Sequence, residues 1–186
     1  MIAIIMAGGK RERLNMNIEK PLIKIEGKTM LERISTVLRD AGVDEIIVAI
    51  TENTLGTKEK AEKLRIKTIQ TPGKGYVEDI RYLMRKFKEF LVVSADLPFL
   101  SPELIKDVLT KYDEIRQPIS VVTPRESYEE MGFVPSVTIG DLVPIGVNIV
   151  TKGEDYFYTA RGKETISINT REELERVRDE GRSKTV

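Results

Sequence analysis

The stretch that decides the fold is MIAIIMAGGKRERLNMNIEKPL, residues 1–22. Its first seven residues are apolar, which is the length of a buried strand, and they lead directly into Gly8 and Gly9. Adjacent glycines after a strand let backbone N–H groups approach an anion without a Cβ in the way. The stretch therefore predicts a strand followed by a phosphate-binding loop, with an ordinary strand-to-turn transition as the alternative.

Positive charge is concentrated in the residues that follow this strand. Residues 10–28 carry six Lys or Arg side chains against three Glu, a net charge of +3, whereas the whole chain has a formal net charge of zero. Bare glycine backbone beside concentrated positive charge suits a polyphosphate, so we predict a nucleotide site; cations that merely solvate a surface are the alternative. The glycine spacing matches neither a Walker A loop nor the Rossmann dinucleotide fingerprint.

The composition excludes several classes of chemistry. The chain has 186 residues, of which 40% are apolar and 32% charged, as expected for one soluble globular domain. It contains neither cysteine nor histidine, which excludes thiolate and imidazole catalysts and any metal site built on Cys or His. Chemistry must therefore rest on carboxylates, amines, guanidinium groups, hydroxyls and a hard metal such as Mg²⁺.

The same composition limits the partners and the location. The balanced charge argues against a nucleic-acid partner. No apolar run approaches the roughly 18 residues of a membrane span, and the N-terminus does not have the pattern of a signal peptide. We therefore predict a cytoplasmic protein with no nucleic-acid or membrane partner.

Hydrophobic patterning along the rest of the chain predicts a single α/β domain over residues 1–186. Apolar runs of strand length alternate with helical stripes up to about residue 123, which indicates a Rossmann-like, mostly parallel sheet flanked by helices. The rhythm then breaks, so we predict an irregular C-terminal part: a loop over residues 124–143 with a short strand at 136–139, a strand over 144–150, an uneven polar stretch to residue 163, and a short strand at 165–168. Two capping boxes, Thr29–Glu32 and Thr170–Glu173, mark helix starts.

Three segments come directly after predicted strands and should line one crevice, because ligands in open α/β sheets lie beyond the carboxyl ends of the strands. They are Gly8–Gly9, Gly73-Lys74-Gly75 and Asp96. A carboxylate beside a polyphosphate is suited to hold Mg²⁺, and the alternative for Asp96 is a turn cap before Pro98. The 73–75 loop is suited to hold a nucleobase edge through its backbone while Lys74 contacts a phosphate. The alternative, which the sequence favours equally, is that this loop is an ordinary turn.

Together these motifs resemble the nucleotidyltransferase family that includes the molybdenum cofactor guanylyltransferases and the sugar-phosphate nucleotidyltransferases. Three parts of the family signature occur in the family's order. They are Ala7-Gly8-Gly9 with Arg13, Lys20-Pro21-Leu22 and residues 27–31; Ser94–Leu100 around Asp96; and Ile168–Leu174, with Arg171 where the family usually has proline. The match spans nearly the whole chain.

The resemblance implies roles for individual residues. Met6, Ala7, Gly8 and Gly9 would bind the nucleotide through their backbone. Arg13 and Lys20 would neutralise the phosphates and act with Asp96 in catalysis. Gly73, Lys74 and Gly75 would read guanine, Asp96 would carry Mg²⁺, and Asn169 would be a second metal ligand. Asn148 and Gly153 are candidates for the acceptor side, with a polar residue satisfied at a strand end as the alternative for Asn148.

Within the family, the chain is similar to the compact type that transfers GMP from GTP to adenosylcobinamide phosphate. That resemblance implies GTP and this phosphorylated acceptor as partners. The same chemistry on molybdopterin or a sugar phosphate is the alternative, and a non-catalytic GTP-binding regulatory domain is an alternative of another class. The sequence leaves the oligomeric state open; for a homodimer, the irregular region 124–163 would be the contact surface.

Overall fold

The structure is a computed structural model that describes residues 1–8 and 18–182, with side chains through residue 179. Its nine strands are β1 (Ile2–Met6), β2 (Lys24–Ile25), β3 (Lys28–Thr29), β4 (Glu45–Ile50), β5 (Lys67–Gln70), β6 (Phe90–Ser94), β7 (Ile119–Pro124), β8 (Leu142–Val150) and β9 (Tyr156–Thr159). Its helices are α1 (Met30–Asp40), α2 (Leu55–Lys63), α3 (Tyr76–Met84), α4 (Pro102–Ile115), α5 (Arg125–Glu130) and α6 (Arg171–Arg182), with 3-10 turns at Lys20–Leu22 and Lys163–Thr165.

Seven of these strands form one sheet in the order β5-β4-β1-β6-β8-β7-β9, and β2 and β3 form a small separate hairpin. Strands β5, β4, β1 and β6 are mutually parallel, and β9 runs parallel to β7. Strand β8 is antiparallel to both of its neighbours, β6 and β7. The predicted Rossmann-like fold class, a mostly parallel sheet flanked by helices, is confirmed.

The apolar alternation of the strands builds a core on each face of the sheet. On β1, Ile4 packs in a cluster with Leu83 of α3, whereas Ala3 and Ile5 point into a larger cluster with the other helices. Successive side chains of a strand point to opposite faces, which is why one short apolar run serves both layers. Among the described residues, no helix combines the length and apolarity needed to cross a membrane.

Both predicted capping boxes are confirmed. The Glu32 backbone N–H donates to Thr29 Oγ1 over 3.2 Å while Glu32 Oε2 accepts from the Thr29 N–H at 2.8 Å. At the start of α6, Glu173 N–H donates to Thr170 Oγ1 at 3.2 Å and the Glu173 carboxylate accepts in return. These two signals are local in sequence, so the chain itself encodes the two helix starts.

The irregular C-terminal part differs from prediction in four places. Residues 125–130 form α5, which has no apolar stripe and is held by the burial of Tyr128 and an Arg125–Glu129 pair at 2.7 Å. Residues 156–159 form β9, an edge strand whose pattern does not alternate. The strand predicted at 136–139 is wrong: this segment makes only an isolated bridge at Ile139. The strand predicted at 165–168 is also wrong, because this segment leaves the sheet and its Ile168 N–H donates to the Asp96 carbonyl at 2.9 Å.

Candidate active site

The described candidate residues gather mainly at one edge of the sheet. Because β1, β4, β5 and β6 are parallel and in register, the segments that follow them leave the sheet at the same edge. Gly8 follows β1, Thr51 follows β4, and Asp96 follows β6 by two residues. The predictions for Gly9 and Arg13 lie outside the described residues.

Gly8 and Gly73 converge on one buried side chain, that of Thr51. A Cβ added to Gly8 would lie 2.6 Å from Thr51 Cγ2, and one added to Gly73 would lie 3.0 Å from the same atom. Gly73 also has a φ of +68°, which favours glycine. The structure therefore brings Gly8 and Gly73, one residue from each predicted nucleotide-binding segment, to the same side chain of Thr51.

The residues just before Gly8 are engaged by the sheet. The Ala7 N–H donates to the Ala49 carbonyl at 3.0 Å, and the Met6 carbonyl accepts from the Ala95 N–H at 3.2 Å. The Ala7 N–H and the Met6 carbonyl are therefore both satisfied within the sheet.

Asp79, a residue that the sequence did not single out, holds the 73–75 loop. Its side chain is buried, and its Oδ1 accepts from the Gly73 N–H at 2.9 Å. Burial raises the pKa of Asp79, while the hydrogen bonds from Gly73 and from the Thr71 side chain act in the opposite direction. A buried carboxylate with a backbone donor fixes the loop at its glycine.

The other end of the same loop touches the Asn148 side chain. Gly75 caps α3, and the Asn148 amide Nδ2 donates to the Tyr76 hydroxyl at 2.7 Å. Asn148 lies in the interior of β8, opposite Val92, and not at the end of the strand as its alternative interpretation assumed. The hydrogen bond to Tyr76 places the Asn148 side chain next to the first residue of α3, directly after the 73–75 loop.

Gly153 is the candidate that the structure does not bring to this edge. It follows β8, which runs antiparallel to β6 and so ends at the opposite edge of the sheet. A Cβ on Gly153 would lie 3.0 Å from Pro118 Cδ, just before β7 begins. The antiparallel direction of β8 could not be read from an apolar run.

Lys20, Asp96 and Asn169 form a compact polar cluster at the site edge. Lys20 Nζ lies 3.4 Å from Asp96 Oδ2 and donates to Asn169 Oδ1 at 3.1 Å and to the Ile168 carbonyl at 3.0 Å. The Lys20 and Asp96 side chains are 22% and 18% exposed. The Lys20 ammonium group thus connects Asp96 Oδ2 with Asn169 Oδ1, two oxygen atoms from distant parts of the sequence. The partial exposure of Lys20 and Asp96 leaves them accessible to solvent and to a ligand.

Two anchors place Lys20. On one side, the Glu19 carboxylate accepts from the Gly56 N–H at 3.0 Å and from the Thr57 N–H at 2.6 Å, which satisfies orphan donors at the start of α2. On the other side, Lys20 begins the 3-10 turn with Pro21 in its first turn. Glu19 was counted only as a charge from the sequence, because its partner lies 38 residues away.

Asp96 is oriented by Ser94, and Gly146 leaves room for that contact. Ser94 Oγ donates to Asp96 Oδ1 at 2.7 Å. Gly146 lies within β8 with φ +83°, and a Cβ there would stand 2.7 Å from Ser94 Cβ. A glycine inside an apolar strand signals a close approach, and that signal was available in the sequence.

The oxygen atoms of the cluster fit Mg²⁺ in the way that nucleotide-dependent enzymes use it. Among the residues that the structure describes, no group of three or more carboxylates is arranged to hold a metal ion. Mg²⁺ is bound by one or two carboxylates and completed by substrate phosphates and water. Asp96 and the Asn169 side-chain oxygen, which share Lys20 as a partner, can supply such a partial ligand set.

Comparison with known families identifies the chain. A family model described as "MobA-like NTP transferase domain" matches residues 3–147, most of the chain. The chain belongs to the MobA-like NTP transferase family. It is therefore a nucleotidyltransferase, an enzyme that takes a nucleoside triphosphate as substrate, and the predicted family is confirmed.

Individual relatives of this MobA-like NTP transferase agree with that assignment. It is 35% identical over 168 residues to adenosylcobinamide-phosphate guanylyltransferase of Methanocaldococcus jannaschii, a match that covers 84% of this chain and 83% of the relative. It is 27% identical over 137 residues to a probable molybdenum cofactor guanylyltransferase of Thermococcus sibiricus, covering 70% of this chain and 65% of that one.

Solved structures support the fold alone. CMP:2-keto-3-deoxy-manno-octonic acid synthetase, solved in complex with CTP, matches with a TM-score of 0.70 at 15% identity and covers 98% of both chains. A nucleotidyl transferase from Methanothermobacter thermautotroptrophicus matches with a TM-score of 0.69 at 17% identity, covering 99% of this chain and 98% of that one.

Proposed function

We propose that this enzyme transfers GMP from GTP to adenosylcobinamide phosphate, giving adenosylcobinamide-GDP and pyrophosphate. The observation that carries the proposal is the similarity to the Methanocaldococcus jannaschii guanylyltransferase along most of both chains. The proposal is also supported by the Lys20–Asp96–Asn169 cluster, which lies at the same edge of the sheet as Gly8 and the 73–75 loop.

The absence of histidine from the chain agrees with a phosphate monoester as the acceptor. The second pKa of such a phosphate is about 6, so the acceptor is already an anionic nucleophile near neutral pH. One of its oxygens attacks the α-phosphorus of GTP, and the bond from that phosphorus to the α,β-bridging oxygen breaks. The pyrophosphate leaves with the bonding electrons, and no general base is required.

Positioning and charge neutralisation then supply the catalysis. Lys20 stabilises the charge that develops on the phosphates, and Gly8 binds a phosphate through its backbone. The 73–75 loop, held by Asp79, reads the guanine edge. Gly9 and Arg13 are assigned to the nucleotide by the resemblance of their motif alone.

Mg²⁺ is the cofactor that we propose for this site. Asp96 and Asn169 would hold the ion, which supplies charge neutralisation on the phosphates when it is bound. Lys20 keeps the Asp96 carboxylate paired before the substrate arrives.

The test is a product assay with a matched pair of carboxylate variants. Purified protein is mixed with GTP, Mg²⁺ and adenosylcobinamide phosphate, pyrophosphate release is followed, and the product is identified by mass. Asp96→Asn should lower turnover by at least about a hundredfold, the scale of one lost electrostatic element at a reacting phosphate. Asp40→Asn, on the exposed end of α1, should leave turnover unchanged. Near-normal turnover of Asp96→Asn would remove Asp96 from the metal role.

A second candidate acceptor is molybdopterin, which is favoured by the match to the Thermococcus sibiricus relative. An acceptor panel of adenosylcobinamide phosphate, molybdopterin and sugar 1-phosphates separates the two proposals, because only the true acceptor yields a guanylylated product. A panel of GTP, ATP and CTP tests the nucleotide in the same assay. Tight GTP binding without pyrophosphate release for any acceptor would point instead to a regulatory domain.

A further inference from the structure

Tyr128 of α5 does not belong to the Lys20–Asp96–Asn169 cluster but is connected to it through Ser167. The side chain is buried, and its ring packs edge-to-face on Phe133 with ring centroids 6.1 Å apart. Its hydroxyl accepts from the Ser167 backbone N–H at 3.3 Å and lies 3.2 Å from Ser167 Oγ. Tyr128 therefore holds both the main chain and the side chain of Ser167.

Ser167 passes this constraint to Asn169. The Asn169 amide Nδ2 donates to Ser167 Oγ at 3.0 Å, and the amide oxygen accepts from Lys20 Nζ at 3.1 Å. Lys20 can only donate, so the amide orientation is fixed chemically: the oxygen must face Lys20 and the nitrogen must face an acceptor. The Ser167 hydroxyl is that acceptor.

We infer that Tyr128 is a positioning residue of the transfer reaction: through Ser167 it fixes the Asn169 amide, and through that amide it fixes Lys20 beside Asp96. The inference rests on the proposed function, since it assumes that Lys20 and Asn169 serve the reaction. Burial raises the pKa of Tyr128, so the phenol keeps its proton at neutral pH and the chain of hydrogen bonds does not change there. Ser167 contacts Asn169 directly and sets the orientation of its amide, and Tyr128 holds Ser167 in place. Loss of the Tyr128 hydroxyl should therefore lower turnover.

The structure offers a matched control in Tyr112 of α4. It is also a buried tyrosine, and its hydroxyl donates to Glu89 Oε2 at 2.6 Å. Glu89 precedes β6, whereas Asp96 follows it, so this hydrogen bond lies at the opposite edge of the sheet. Tyr112→Phe removes a buried tyrosine hydroxyl, as Tyr128→Phe does, but at the edge of the sheet away from the site.

The experiment compares Tyr128→Phe with Tyr112→Phe in the same pyrophosphate-release assay. Tyr128→Phe should lower kcat about tenfold with KM for GTP within about twofold, as for the loss of a residue that orients a ligand-contacting group. Tyr112→Phe should leave both constants within about twofold of wild type. Both variants should lower Tm by similar amounts, because each loses a buried tyrosine hydroxyl. Equal effects of the two variants on kcat, or none from Tyr128→Phe, would overturn the inference.

A double-mutant cycle tests the route through Ser167. If Tyr128 acts through Ser167, then Ser167→Ala should lower kcat to a similar degree, and the double variant should be no worse than either single one. Independent, multiplicative losses would show that Tyr128 acts by some other path and would overturn the inference.

A readout that does not need the reaction separates this inference from the proposed function. The side-chain amide ¹H–¹⁵N signals of Asn169 should shift in Tyr128→Phe and stay in place in Tyr112→Phe, whichever acceptor the enzyme uses. Unmoved Asn169 signals would overturn the inference. A wild-type enzyme that is inactive on adenosylcobinamide phosphate, with shifted signals, would refute the acceptor and leave the positioning role standing.

Discussion

Replacement of Lys20 by Met is the sharpest test of the site, because Lys20 is the point at which three chain segments meet. The substitution keeps most of the length of the side chain but removes the ammonium group. Asp96 Oδ2, Asn169 Oδ1 and the Ile168 carbonyl would each lose their bond to Nζ. Asp96 would retain its hydrogen bond from Ser94.

The magnitude follows from the geometry. At 3.4 Å the Lys20–Asp96 attraction is about 5 kcal/mol for an effective dielectric constant of about 20. Most of it is offset by desolvation, so the folded protein should lose only about 1–2 kcal/mol of unfolding free energy. Turnover should fall further, by about a hundredfold to a thousandfold, because one preorganised donor at developing charge is worth about 3–4 kcal/mol.

The assay is steady-state pyrophosphate release over a range of GTP and Mg²⁺ concentrations, with Lys24→Met as the control at an exposed lysine four residues away. The half-saturating Mg²⁺ concentration should not rise in Lys20→Met, since a cation beside Asp96 has been removed. A raised KM for GTP with unchanged kcat would mean that Lys20 only anchors the ground state. A kcat within threefold of wild type would refute its role in charge neutralisation.

Three further outcomes are expected. Gly8→Ala should cost about 1–3 kcal/mol of stability and weaken GTP binding, because its Cβ would stand 2.6 Å from Thr51 Cγ2; adding Thr51→Ser, which removes that methyl group, should recover most of the binding in a calorimetric titration. Glu19→Ala should lower unfolding free energy by about 1–2 kcal/mol and also lower kcat, because it frees the start of α2 beside Lys20; a loss of stability with kcat unchanged would contradict this. The hydrogen bonds from Lys60 and then Thr29 lower the pKa of Glu32 from 4.5 to about 2. This carboxylate therefore contributes stability above pH 4.5, about 2 kcal/mol after allowance for its partial exposure. The contribution should disappear as pH falls to 2, so urea unfolding curves of wild type and Glu32→Gln should converge there.

The elements that the sequence predicted well are those encoded by neighbouring residues. The sequence predicted correctly the β1 strand with Gly8 after it, the capping boxes at Thr29 and Thr170, and Asp96 at the end of an apolar run. In each case the stabilising contact or the apolar repeat lies within a few residues of the chain.

The elements that the sequence missed depend on distant partners. Helix α5 has no stripe of its own and forms where Tyr128 becomes buried beside Phe133. Strand β9 exists because it pairs with β7. The segment 165–168 has the composition of a strand, yet it does not join the sheet, and its Ile168 N–H donates to the Asp96 carbonyl. Tertiary contacts override local preference at all three places.

By itself, the sequence determined which chemical groups are available. It has no thiol and no imidazole, it has Gly8 and Gly9 followed by many Lys and Arg residues, and it has Asp96 after an apolar run. Only the tertiary structure decided which of these groups meet. Lys20 and Asn169 are 149 residues apart and come within 3.1 Å because the final segment of the chain folds back onto the end of β6. A contact of that kind is set by the direction and order of the strands, and local spacing in the chain carries no record of it.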